Sequence, residues 1–183
     1  MDVISIKRIA LRYFPDEYFC HVQFVYKIAG GLQKKYGGDK NIIFPAALLH
    51  DIGRDNPQGI PHEVMGAELA AKELKLIGFK PALIEKIAQA IRVHSVQLVR
   101  PHTLEEKIVC SADGAAKIIY APMFSLLSHK DPCQKPKWVL GYMRKGYAQI
   151  CLLAYKKELK QIYSKMTALY KEVPREEKLL NYN

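Results

Sequence analysis

Apolar residues recur in this chain at the three- and four-residue spacing of a helix, from Ile4 to Tyr170, and no convincing run alternates in the two-residue rhythm of a half-buried strand. That periodicity restricts the chain to an all-α fold in which helices bury one stripe each against their neighbours. The pattern predicts an opening amphipathic segment around Ile4–Tyr13. A helix capped by Asp16 runs to about Tyr36, a short one covers about Ile42–Gly53, and others cover His62–Ile77 and Pro81–His94. The next starts from a Thr103–Glu106 capping box and carries Leu104 to Ile119. The last is a single long helix over about Trp138–Val173. Ala121–Pro136 reads as irregular because Pro122, Pro132 and Pro136 interrupt it, and short extended pieces are allowed at 95–101 and 122–128. The tail after Pro174 is expected to fray.

At 183 residues the chain is expected to be one domain. Its motif-bearing core spans 16–120, and a helical extension covers 137–173. The longest apolar run, Ile42–Leu49, is far short of a membrane span. Asp2, Lys7 and Arg8 break up the start, so no signal peptide is expected there. Cys20, Cys110, Cys133 and Cys151 are scattered without a Cys-x-x-Cys pair, which suits reduced thiols in the cytoplasm. The net charge is +10, and residues 130–183 hold 12 Lys/Arg against 5 Asp/Glu. Such a basic third favours anionic partners, nucleic acid included, but a solvated helix face accounts for it more simply. The tyrosines of the last helix (Tyr142, Tyr147, Tyr155, Tyr163, Tyr170) have the spacing of a core stripe, so packing is expected of them rather than base stacking.

Against this apolar background a few ionisable groups sit on or beside helical core faces: His21, His50, Asp51, His62, His94 and Asp113. His50 and Asp51 end the run Ala46-Ala47-Leu48-Leu49-His50-Asp51-Ile52-Gly53-Arg54. Adjacent helical side chains point about 100° apart, so the two can grip one small object at a helix end. Imidazole with carboxylate suits a divalent transition metal better than an all-oxygen Mg²⁺ or Ca²⁺ cage. Asp113 in the middle of an apolar pattern is expensive unless something positive meets it. His21 lies beside its stripe, either as a core histidine or as a ligand aimed into the bundle. His102 and His129 read as loop surface.

His21, His50-Asp51 and Asp113, in that order on helices, resemble the H…HD…D signature of the HD-domain superfamily of metal-dependent phosphohydrolases. The surroundings agree: residues 46–54, His62-x-x-x-Gly66-Ala67, Ile91-x-x-His94, and Glu105 to Asp113. The resemblance covers residues 21–113. It implies an all-helical HD bundle and a divalent metal held by His21, His50, Asp51 and Asp113. The further His62 and His94 are similar to members with two metals, in which the Asp of the pair bridges both ions. The Gly-Tyr-Pro segment of the cyclic-dinucleotide subclass is not found.

The implied activity is hydrolysis of a phosphate ester or anhydride, most naturally of a nucleotide, by metal-activated water. One or two ions of Fe, Mn, Co, Ni or Zn would serve. Asp51 would orient ions and nucleophile, and Arg54 would either meet a phosphate oxygen bidentately or simply complement the helix dipole. Lys117 is a weaker phosphate candidate, and Glu63 is expected to be a first-turn dipole charge rather than a support for a ligand. Two other functions stay open on the same residues: a di-iron oxygenase, and a non-catalytic nucleotide-binding regulatory module.

Overall fold

A computed structural model describes residues 3–14, 16–96, 98–127 and 136–172. Among them are nine helices and no strand: α1 (Val3–Tyr13), α2 (Asp16–Tyr36), α3 (Lys40–Leu49), α4 (His62–Leu76), α5 (Pro81–Arg92), α6 (Leu104–Ile119), α7 (Ala121–Leu127), α8 (Pro136–Gln149) and α9 (Leu153–Glu172). His129, Cys133 and the expected frayed tail lie outside the described residues.

The start signals act as the sequence suggests. Asp39 caps α3 by accepting the Asn41 N–H, Pro81 opens α5, and Thr103 and Glu106 close a reciprocal capping box on α6. Three expectations change. The helix of the His-Asp pair stops at Leu49, so His50 and Asp51 stand in the turn that leaves it, although His50 keeps helical dihedrals. Residues 121–127 are helical, because Pro122 falls in the first turn, where its missing N–H is no loss. The helix expected over 138–173 is two. Its break at 150–152 is held by the Ser111 hydroxyl, which accepts the Cys151 and Leu152 N–H groups at 3.1 and 3.0 Å. Those N–H groups would otherwise be orphans of the α9 start.

α6 is the axis of the molecule. Every residue from Ile108 to Ile118 is buried, because α2, α3, α5 and α8 surround it. Close approach of α8 depends on glycine: a Cβ on Gly114 would lie 2.6 Å from the Gly146 carbonyl oxygen. The main core joins Ile43, Leu48 and Leu49 of α3 to Val22 and Val25 of α2, Ile87 and Ile91 of α5, and Ile108 and Val109 of α6. Burying such side chains contributes about 1.5–3 kcal/mol each. The tyrosines of the last two helices mostly pack, with Tyr147 stacked on Tyr163 at 4.3 Å and Tyr170 buried. No helix among the described residues is long and apolar enough to cross a membrane.

Candidate metal centre

Three helix ends and two helix interiors deliver six side chains to one buried place. His21 comes from the first half of α2 and Asp113 from the centre of α6. His50 and Asp51 leave the end of α3, His94 follows the last turn of α5, and His62 is the first residue of α4. Gly53 makes the last of these possible. A Cβ there would collide with the His62 carbonyl and the Gly66 amide, so only glycine lets the α4 start lie against the turn after Asp51.

The six side chains form two groups, each around one carboxylate oxygen. Asp113 Oδ1 lies 3.2 Å from His21 Nε2 and 3.9 Å from His50 Nε2, and the two imidazole nitrogens are 3.2 Å apart. Asp51 Oδ1 lies 3.4 Å from His62 Nε2 and 3.3 Å from His94 Nε2. The other Asp51 oxygen, Oδ2, leans toward the first group, 3.3 Å from His50 Nε2 and 3.7 Å from His21 Nε2. Asp51 thus stands between both. Five of the six residues are at most 2% exposed. The His62 side chain is 21% exposed and marks the open side.

In three of the four imidazoles a partner on Nδ1 leaves Nε2 aimed inward, whereas His21 Nδ1 is buried without a partner. His50 Nδ1 donates to the Ala47 carbonyl (2.9 Å) and His94 Nδ1 to the Ile91 carbonyl (2.7 Å), while His62 Nδ1 meets Glu63 Oε2 at 3.2 Å. In the neutral ring of His50 and of His94, Nε2 is then the unprotonated nitrogen. Both carboxylates are likewise anchored by one oxygen. Asp113 Oδ2 accepts from Lys117 Nζ (2.7 Å) and Gln149 Nε2 (2.6 Å); Asp51 Oδ2 accepts from the Tyr18 hydroxyl (2.5 Å) and Arg54 Nε (2.7 Å). His21 Nδ1, Asp51 Oδ1, Asp113 Oδ1, His62 Nε2 and His94 Nε2 are buried without a hydrogen-bond partner. Each such atom costs about 1–3 kcal/mol if nothing meets it.

Two sets of donors lie close enough together to hold a divalent cation: His21, His50 and Asp113, and His50, Asp51 and His94. Donors bound about 2.1 Å from one ion at tetrahedral or octahedral angles stand roughly 3.0–3.5 Å apart, and the closest pairs in each group are spaced so. Burial lowers the pKa of His21 and His94, which favours the neutral, ligating form. Burial alone would raise Asp51 and Asp113. Asp51 is nevertheless held well below the usual carboxylate range by the charges of His50 and Arg54, and Asp113 by Lys117 and then His21 and His50. The pKa of His50 is raised, since Asp51 and Asp113 outweigh its burial.

Several neighbours behave differently from their sequence reading. Lys117 is buried and committed to Asp113 and to Gln149 Oε1 (2.8 Å), so it is not a free phosphate ligand. Glu63 is buried, orients His62 and accepts from the Ser95 hydroxyl, which is more than a dipole charge at the α4 start. Arg54 is paired to Asp51 by its Nε and lies over the Tyr18 ring, 5.4 Å from its centroid, with 39% of its side chain exposed. A cleft of about 160 Å³ opens beside it, lined by Tyr13, Phe14, Tyr18, Asp51, Arg54 and Asp55. Tyr18 was legible in principle, three residues before His21 on the same helical face. Gln149 was not: it reaches Asp113 from 36 positions away, and it also donates to the His94 carbonyl (2.8 Å). A larger groove between α5 and the starts of α3 and α6 shares no residue with this centre.

The chain is 33% identical over 115 residues to a tRNA (cytidine(56)-2'-O)-methyltransferase of Thermoplasma volcanium, covering 56% of this chain and 33% of that protein. It is 37% identical over 104 residues to an uncharacterized protein of Methanocaldococcus jannaschii, covering 50% of this chain and 59% of that one. The chain therefore spans only a third to three-fifths of these relatives. Among solved structures it superposes on a protein of Listeria innocua with a TM-score of 0.65 at 22% identity, over 98% of this chain and 97% of that one. It also superposes on a protein described as a predicted HD superfamily hydrolase, from an uncultured Thermotogales bacterium, with a TM-score of 0.57 at 24% identity over 90% of each chain. Both show the same helical fold. Residues 18–117 match the HD domain, and the chain belongs to that family.

Proposed function

We propose that this chain is a metal-dependent phosphohydrolase, that His21, His50, Asp51 and Asp113 hold one divalent ion, and that Asp51, His62 and His94 hold a second. The observation that carries this reading is the pair of orphaned carboxylate oxygens, each facing two imidazole nitrogens in the buried interior. Such ions, when bound, lower the pKa of coordinated water and neutralise charge on a phosphoryl group.

The chain's own residues do the rest. Asp51 holds the two donor sets in register with its two oxygens. Tyr18 and Arg54 fix its rotamer from outside. Arg54 lines the small cleft, where the guanidinium N–H groups not bonded to Asp51 would serve to hold a phosphate. Because the cleft holds little more than a phosphate, the remainder of the substrate stays outside it. A nucleotide is the substrate class we favour, supported by relatives whose name places their action on a cytidine of tRNA. Methyl transfer is not carried over from proteins of which this chain spans about a third. Gln149 of α8 braces Asp113, which supports residues 1–183 working as one domain, with 137–173 an integral extension. Thiols at Cys20, Cys110 and Cys151 support a cytoplasmic setting.

The test is elemental analysis of freshly purified protein, followed by a phosphate-release screen with Mn²⁺, Fe²⁺, Co²⁺, Ni²⁺ and Zn²⁺. The panel is nucleoside mono-, di- and triphosphates and dinucleoside polyphosphates. Release that needs metal and consumes no oxygen is the expected result. Iron with oxygen uptake and no phosphate release would make the protein a di-iron oxygenase instead. No turnover on any compound would leave a nucleotide-binding regulatory module.

A further inference from the structure

The elbow between α8 and α9 brings two thiols together that the proposed hydrolysis does not use. Cys110 lies on α6 and is fully buried; Cys151 lies in the non-helical break and is partly exposed. Their sulfurs are 3.4 Å apart, and both lie within hydrogen-bonding reach of the Gln149 carbonyl, at 3.1 and 3.2 Å. Cys151 is also surrounded by positive charge. Lys156 reaches back to the elbow carbonyls of Ala148 and Ile150, and the charges of Lys107 and Arg100 also act on the sulfur.

We propose that Cys151 and Cys110 are a reversible oxidation site, in which a hydroperoxide oxidises Cys151 and Cys110 then closes a disulfide. The roles follow from position. The partly exposed sulfur in a basic neighbourhood is the one an oxidant reaches, and the buried sulfur in contact with it is the resolving partner. The hydrogen bond from Cys110 lowers the Cys151 thiol to about pH 7 against its burial, with Lys156, Lys107 and Arg100 adding to the effect, while Cys110 is pushed up. The Cys151 thiolate attacks a peroxide oxygen. An S–O bond forms, the O–O bond breaks, and the departing alkoxide or hydroxide takes a proton, leaving a sulfenic acid. The Cys110 sulfur, giving up its proton to solvent, then attacks the sulfenic sulfur. The S–S bond forms and the S–O bond breaks with loss of water. Two thiols and one hydroperoxide thus yield one disulfide, one alcohol or water, and one further water.

Bridging requires the sulfurs to close to about 2.05 Å. Cys151 has no helical hydrogen-bond ladder to break, since Ser111 alone holds its N–H. The elbow also carries Gln149, whose side chain braces Asp113, so the cross-link would form directly behind the candidate metal centre.

The experiment treats the full-length protein with hydrogen peroxide, blocks remaining thiols and maps peptides without reduction. The expected result is a cross-link between the Cys110 and Cys151 peptides that dithiothreitol reverses. In Cys110→Ala, Cys151 should accumulate as a dimedone-trapped sulfenic acid, and in Cys151→Ser, modification of Cys110 should slow at least about tenfold. A wild-type protein whose Cys110 and Cys151 both stay free, a stable sulfenic acid at Cys151 beside an intact Cys110, or cross-links to Cys20 or Cys133 would each overturn the proposal. The readout is covalent, so it is decided independently of whether the centre hydrolyses phosphate.

Discussion

The two donor groups share a residue but are built from different materials. The inner one, His21 and His50 with Asp113, comes from the closed heart of the bundle: two of its residues are wholly buried and the third nearly so, and Asp113 is braced by a buried lysine and glutamine. The outer one, His62 and His94 with Asp51, comes from a helix start and a turn, and His62 is partly exposed. Helix interiors are fixed by packing on all sides, whereas helix ends move more cheaply. On the proposed function the inner group would be the rigid, higher-affinity metal site and the outer group the one nearer a substrate. Asp51 couples them, so its loss should be felt in both.

That coupling gives the largest expected effect. Asp51→Asn keeps the side-chain volume but removes the charge facing His50, Arg54 and the outer histidines. Metal-dependent phosphate release should fall by at least about a thousandfold, while the far-ultraviolet circular dichroism stays helical. Activity retained within tenfold would mean that the carboxylate does not link the two groups.

Next in size is the contrast between the groups themselves. His50 is close to both Asp51 and Asp113, so His50→Ala should empty the inner site and weaken the outer. His62→Ala touches only the outer site and should lower bound metal from about two ions per chain to about one. Elemental analysis of the two variants, purified in parallel, reads the difference. Equal losses would show that the division into an inner and an outer group is wrong.

The same contrast explains what the sequence disclosed. The inner and outer donors all announced themselves as polar residues on apolar helical faces, because burial of such groups is costly and helical periodicity makes a violation visible. The capping box at Thr103 and the Pro81 start were legible for a similar reason: their chemistry is local. The supports were not. Gln149 reads as an ordinary polar residue until α8 is laid across α6 at Gly114, and no local signal records that crossing. The break at 150–152 was hidden because the apolar stripe runs through it unchanged, and its stop signal is a serine some forty residues upstream. Lys117 was visible as a charge one turn after Asp113, but its direction, into the core rather than toward a substrate, depends on what lies opposite.

Glu63 sharpens the comparison on the outer side alone. It holds His62 by the ring nitrogen opposite the donor and is itself held by Ser95. Glu63→Gln keeps the shape but weakens the charge-assisted hold on the imidazole. The affinity for the second ion should drop about 10- to 100-fold, as removal of such supporting carboxylates commonly does, with the first ion unaffected. Isothermal titration with Mn²⁺ separates the two affinities, and an equal change in both would place Glu63 in a global structural role.

The smallest effect is expected at Tyr18. Its hydroxyl donates to Asp51 Oδ2, and its ring lies under the Arg54 guanidinium. Tyr18→Phe removes the hydrogen bond and leaves the ring, so Arg54 keeps its platform and its own contact with Asp51. Arg54→Ala, by contrast, removes a hold on Asp51 together with the charge that faces the cleft. If Asp51 is positioned mainly by its surroundings in the bundle, Tyr18→Phe should lower kcat by about 2- to 10-fold with KM nearly unchanged. Arg54→Ala should raise KM as well, because it would remove the proposed contact to phosphate. A rise in KM for Tyr18→Phe as large as that for Arg54→Ala would put the tyrosine hydroxyl, rather than the guanidinium, on the substrate.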